Sequence, residues 1–128
     1  MRWIDSSRSG REITPARLER LRRVASAAVE QCHRSRVPEI TGPFGWAELI
    51  DRLGDYATAW FLDVASEESF FELTATSAAV LLVGPEGGWA DTERSDLAAA
   101  GARAITLGPR VLRVETAAIV GAALALCR

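Results

Sequence analysis

Residues 78–83, AAVLLV, are six consecutive apolar residues stopped by Gly84-Pro85. A strand with one wet face alternates apolar and polar residues. An unbroken run too short for a helix instead suits a strand covered on both faces, the setting of a parallel sheet. Parallel neighbours need long crossovers, usually helical, and the chain supplies them in alternation. The patterning predicts strands at 57–64 (ATAWFLDV), 78–83 and 103–107 (RAITL), and helices at 45–53, 91–100 and 115–127, with Gly101 as the cap ending the middle one. Upstream, Thr14-Pro15 reads as an N-cap followed by Pro at the first helical position. The helix it opens carries an apolar stripe of Leu18, Leu21, Ala25, Ala28 and Cys32. Residues 37–40 read as a short extended segment punctuated by Gly42-Pro43, residues 66–76 as a short helix or loop, and residues 1–13 as a flexible lead-in. The expected fold is one α/β domain, a mostly parallel sheet flanked by helices. A length of 128 residues, 48% hydrophobic and 25% charged, gives such a domain a core.

Composition excludes several function classes. Cys32 and Cys127 lie far apart and His33 is the single histidine, so no metal-ligand spacing exists. No apolar run approaches the ~20 residues of a membrane span. The polar, charged N-terminus is unlike a signal peptide, so a reduced, cytoplasmic protein is expected. A formal net charge of −2 carries no global nucleic-acid signature. All 15 basic residues are arginine, which fits either a GC-rich genome or local phosphate contacts. The cluster Arg17, Arg20, Arg22 and Arg23 reads as a solvated helix face or a phosphate contact. His33, near the end of the first helix, reads as a surface residue.

The loop after the central run, LLVGPEGGW (81–89), is neither of two familiar phosphate cradles. A Walker A loop needs a lysine, and the chain has none. Gly84, Gly87 and Gly88 lack the spacing of a dinucleotide fingerprint. By itself the loop is a tight strand-to-helix turn, with glycines for positive φ and Pro85 for the bend. A second loop, LGPRVLRVETA (107–117), repeats the strand–Gly-Pro–helix pattern. Loops that follow parallel strands meet at one sheet edge, where α/β folds hold ligands. Main-chain groups from both could grip a flat, uncharged ring such as adenine.

Together with EQCHRSRVPEI (30–40), the two loops resemble the paired signature of the SPOUT-type RNA methyltransferases. More narrowly, they resemble the bacterial small-subunit methyltransferases that modify N3 of a uridine in 16S ribosomal RNA. The resemblance spans about residues 15–128. It implies an α/β knot, a deep trefoil made by the C-terminal segment, one of the exceptions to the rule against knotted chains. It implies S-adenosylmethionine as cofactor, with Phe61 and Leu62 as one wall. Gly84, Pro85, Glu86 and Gly87 form the second loop of that pocket, and Leu107, Gly108, Val111 and Leu112 the third. The glycines would let main chain approach the cofactor, while the leucines sandwich the adenine; a sulfonium donor needs no metal.

Uracil N3 must lose its proton, so a base or a cation that stabilises the ring anion is required. Arg113, Glu86 and Glu115 are the catalytic candidates. Arg113 alternatively forms a salt bridge with Glu115 or Glu86, and Glu115 alternatively caps the last helix. Gln31 and Arg34 match the family motif as structural or RNA-facing residues, and Trp89 reads as a core residue. The apolar last helix implies a homodimer with shared active sites, and ribosomal RNA is the implied partner. Two departures stand out. Family members carry an N-terminal RNA-binding β-barrel for which this chain has no room, and Ala90 replaces a frequent capping serine, with Asp91 expected to cap instead. Relatives that methylate transfer-RNA 2′-hydroxyls carry a different final loop with Ser and Asn. The alternative function is a non-catalytic knotted RNA-binding or dimerisation module, or an isolated domain lacking RNA recognition.

Overall fold

The computed structural model describes residues 2–4, 14–73 and 79–126. In chain order these form β1 (Arg2–Ile4), α1 (Pro15–Gln31), β2 (Thr41–Phe44), α2 (Trp46–Leu53), β3 (Thr58–Leu62), a 3₁₀ turn (Phe70–Glu72), β4 (Ala79–Leu82), α3 (Asp91–Ala99), β5 (Arg103–Ile105) and α4 (Val114–Leu126). Three parallel strands lie in the order β4-β3-β5, and β1 and β2 form a separate parallel pair. The expectation of a parallel α/β sheet holds, with the sheet split in two.

The central strand explains the layering. Ala59, Trp60 and Phe61 are all buried, and alternation sends them to opposite faces. Ala59 and Phe61 join Leu82, Trp89 and Leu97 beneath α2 and α3. Trp60 packs edge-on against Phe70 at a centroid distance of 5.6 Å, with Ile105 and with Leu124 of α4 on the other face. Both faces are therefore covered, which is why the strand sequences are continuous rather than alternating. The outer edge of β5 is closed by the chain after β3: the Thr106 N–H donates to the Glu68 carbonyl at 2.8 Å and the Phe70 N–H to the Thr106 carbonyl at 2.9 Å. Segment 66–70 thus acts as an edge cover.

Several local expectations change. Arg2–Ile4 pair with β2 and are not a lead-in, while Met1, residues 5–13, residues 74–78 and Cys127 lie outside the described residues. The extended segment is Thr41–Phe44 rather than 37–40, and it runs through Gly42-Pro43. A strand at the edge of a two-stranded pair tolerates proline, because one side of its backbone needs no partner. On α1, Leu18 is buried while Ala28 and Cys32 are exposed, because Ile40 covers only the first half of the helix. Arg22 donates from Nε and Nη2 to the Ile40 carbonyl at 3.3 and 3.1 Å, so one member of the arginine cluster fastens the helix. The helix ends in a Schellman turn with His33 at φ 53°, the His33 N–H donating to Glu30 and the Arg34 N–H to Val29.

Candidate functional site

The C-terminal ends of β3, β4 and β5 meet around a cleft of about 320 Å³. Leu62, Asp63 and Val64 contribute the end of β3, residues 83–89 the loop after β4, and residues 105–108 with 110–112 the loop after β5; Val114 and Ala117 close it from α4. The parallel order makes this convergence unavoidable, since all three strands leave the sheet on one edge.

The first loop is held by packing and by hydrogen bonds. The Gly88 N–H donates to the Pro85 carbonyl at 2.9 Å, and Gly88 takes φ +69° to let the chain turn back. Trp89 then enters the core, 4% exposed, with Nε1 donating to the Leu62 carbonyl at 2.9 Å. That bond bolts the loop to the end of the central strand. A Cβ on Gly84 would lie 2.8 Å from Trp89 Cε2, so glycine is required here by the indole. Neither the tight turn nor the cofactor approach expected of that glycine includes this contact with Trp89. In the second loop Gly108 takes φ +115°. The Thr106 hydroxyl braces it, donating to the Gly108 carbonyl at 3.0 Å and accepting from its N–H at 3.2 Å.

Of the residues assigned to the cofactor, Leu62, Gly84, Pro85, Glu86, Gly87, Leu107, Gly108, Val111 and Leu112 all line the cleft. Phe61 does not: it is 3% exposed and packs edge-on against Trp89 at 6.2 Å, backing the wall from within the core. Among the catalytic candidates Glu86 lines the cleft and is exposed, whereas Arg113 and Glu115 lie outside the lining and are exposed. Glu86, Arg113 and Glu115 form no ion pair among the described residues. The Arg113 carbonyl accepts the Ala117 N–H at 2.8 Å, which puts Arg113 at the start of α4 and Glu115 in its first turn, where a carboxylate favours the helix dipole. Gln31, His33 and Arg34 are exposed and away from the lining.

Sequence reasoning missed Asp63, Arg94 and Thr106, all on the cleft. Arg94 Nε donates to Asp63 Oδ2 at 2.6 Å and Arg94 Nη1 to Asp91 Oδ1 at 3.1 Å. Burial alone would push the Asp63 carboxyl up, but the hydrogen bond from Arg94, the Ala65 N–H and the guanidinium charge together hold it below its ordinary value. The same bond to Asp63 raises Arg94. Asp91 therefore pairs with Arg94 and does not cap α3. The open Ala90 N–H is taken at 2.8 Å by Glu93 Oε2, half of a capping box. A carboxylate directly after an apolar strand, at the ligand edge of a parallel sheet, was the available signal for Asp63.

Residues 2–126 match the family model described as the RNA methyltransferase domain. The chain belongs to that family. It is 38% identical over 109 residues to ribosomal RNA small subunit methyltransferase E of Mycobacterium bovis, covering 80% of this chain and 42% of that protein. The crystal structure of the Neisseria gonorrhoeae small subunit methyltransferase E bound to S-adenosyl methionine matches with a TM-score of 0.82 at 32% identity, over 94% of this chain and 51% of that one. A Legionella pneumophila methyltransferase in complex with bound SAM matches with a TM-score of 0.85 at 26% identity, over 97% and 53%. The chain thus spans about half the length of these relatives or less.

Proposed function

We propose that the chain is the catalytic domain of an S-adenosylmethionine-dependent methyltransferase that modifies N3 of a uridine in 16S ribosomal RNA in the cytoplasm. The observation that carries this reading is the single cleft built from both Gly-Pro loops in a member of the RNA methyltransferase family. The residues fit the cofactor. About 320 Å³ lies at the small end of ligand pockets, which run from about 300 Å³ upward. Apolar side chains at Leu62, Val83, Leu107 and Leu112 alternate with main chain at Gly84, Gly87 and Gly108, a lining suited to a nucleoside rather than a phosphate. The bound cofactor would supply an electrophilic methyl group on a sulfonium.

The chain's own part is to hold, orient and deprotonate. Leu107 and Leu112 flank the ring, and Trp89 keeps the 84–88 loop against the end of β3. Glu86, on the rim and in no ion pair among the described residues, accepts the N3 proton. Arg113, which follows the lining residue Leu112, stabilises the resulting uracil anion, and Glu115 steadies the start of α4. The reading includes the family's C-terminal knot and a homodimer. Ile119 and Leu126, 70% and 73% exposed and two turns apart on one side of α4, would pack against the second copy.

Calorimetry with S-adenosylmethionine tests the cofactor. Binding is expected, with loss on Leu112→Glu. Glu86→Gln is expected to leave binding intact and slow methylation about 10²- to 10⁴-fold. Primer extension on ribosomal RNA tests the base. An N3-methyl group blocks the pairing edge and stops the polymerase, and that stop is expected to vanish in a strain lacking the gene. A persistent stop overturns the assignment.

A further inference from the structure

The cleft has a charged corner that none of the three sequence motifs contains. The Asp63 side chain is 6% exposed and both its oxygens are occupied: Oδ1 accepts the Ala65 N–H at 3.0 Å and Oδ2 accepts Arg94 Nε–H at 2.6 Å. Arg94, in the first turn of α3, is pinned by that bond and by Asp91 at 3.1 Å. Its Nη2 has no hydrogen bond among the described residues, and its side chain is 37% exposed along the cleft. A guanidinium gripped on two sides presents its remaining donors in a set direction, so little ordering is needed when a ligand arrives.

The charges say what kind of ligand suits the corner. One guanidinium sits with two carboxylates, of which Asp91 is fully exposed and screened by water. With Asp91 screened, Asp63 already balances Arg94, so a phosphate would meet a corner with no net positive charge. An amino-acid group brings an ammonium with its carboxylate, so both signs find a complement.

We propose that the Asp63–Arg94–Asp91 corner seats the amino-acid end of the cofactor, with Arg94 Nη2 donating to its carboxylate. The assignment rests on the S-adenosylmethionine reading above. It makes Arg94 a binding residue and Asp63 the positioning residue that orients it.

The test compares two ligands by calorimetry on the full chain: S-adenosylmethionine, and its decarboxylated form, which keeps the sulfonium and the ammonium. Arg94→Gln is expected to cut the preference for the carboxylated ligand roughly five- to tenfold, the scale of a partly exposed charged hydrogen bond. Arg94→Lys keeps a cation on Asp63 without the fork, and is expected to narrow the preference in the same way even if Arg94→Gln does not fold. Asp63→Asn, which loosens the fork it orients, is expected to narrow the preference in the same direction as Arg94→Gln and by less, because the guanidinium is still present. The proposal is overturned if the Arg94 variants lose both ligands equally, which makes the residue a structural link alone. It is overturned equally if they change neither ligand while weakening ribosomal RNA binding, which makes it a phosphate contact. If the unsubstituted chain binds neither ligand, the cofactor reading falls and this assignment with it. Binding of both without any preference removes the seat alone.

Discussion

At the scale of single residues, the informative position is Gly84. Its place between strand and turn was legible in the sequence, because Gly-Pro after an apolar run breaks a strand. Its reason was not, because nothing local says that Trp89 folds back beneath it. Trp89 is 4% exposed and hydrogen-bonded to the Leu62 carbonyl, so it has nowhere to retreat. Gly84→Ala, whose Cβ would lie 2.8 Å from the indole, is expected to destabilise the fold by about 1–3 kcal/mol in urea unfolding. Adding Trp89→Phe should recover part of that loss. If the two substitutions destabilise additively, the contact is not the cause. Thr106 makes the complementary case: an ordinary strand residue in the sequence becomes, by two hydrogen bonds, the brace of the second loop.

At the scale of elements, β1 falls in the expected lead-in and β2 just past the expected extended segment. Helices α1 to α4 and the main-sheet strands β3 to β5 followed from their patterns to within a few residues, because each buries a face whose spacing is written in the chain. The links between elements did not. Asp63 and Arg94 are 31 residues apart, and only the parallel placement of β3 beside β4 brings the start of α3 over the end of β3. This link has a pH signature. The folded Asp63 carboxyl titrates below its unfolded value of about 3.9. Its contribution is therefore complete above that value and drains away as pH falls through the lower folded one. Asp63→Asn is expected to destabilise the chain by about 1–2 kcal/mol at neutral pH, with the variant and parent curves converging below about pH 4. Curves that stay parallel down to pH 2 would show that the carboxylate contributes nothing through its charge.

At the scale of the whole molecule, α4 is the element a single chain does not cover. Within it only Gly121 is buried, and a Cβ there would lie 2.5 Å from Leu81 Cδ2, so the helix lies close on the sheet along a narrow strip. The opposite side leaves Ile119 and Leu126 in water. On the homodimer reading, sedimentation equilibrium is expected to give the mass of two chains. Ile119→Asp combined with Leu126→Asp should give the mass of one with unchanged far-ultraviolet circular dichroism. A parent chain that sediments as a monomer counts against the shared interface. No helix among the described residues is long and apolar enough to cross a membrane.

The sequence by itself determined the alternation of strands and helices, the parallel sense of the sheet, the two Gly-Pro loops and, through their wording, the family. Those properties are local: they depend on side-chain period, on glycine and proline geometry, and on residue order along one segment. Tertiary structure alone decided that Phe61 stands behind the cleft rather than on it, that Glu93 and not Asp91 closes the start of α3, and that Asp63 and Arg94 share a corner. Each depends on which side chain reaches a given backbone or charge in space. Reach across the sheet edge is set by packing, and segments 31 residues apart carry no mark of it in the sequence.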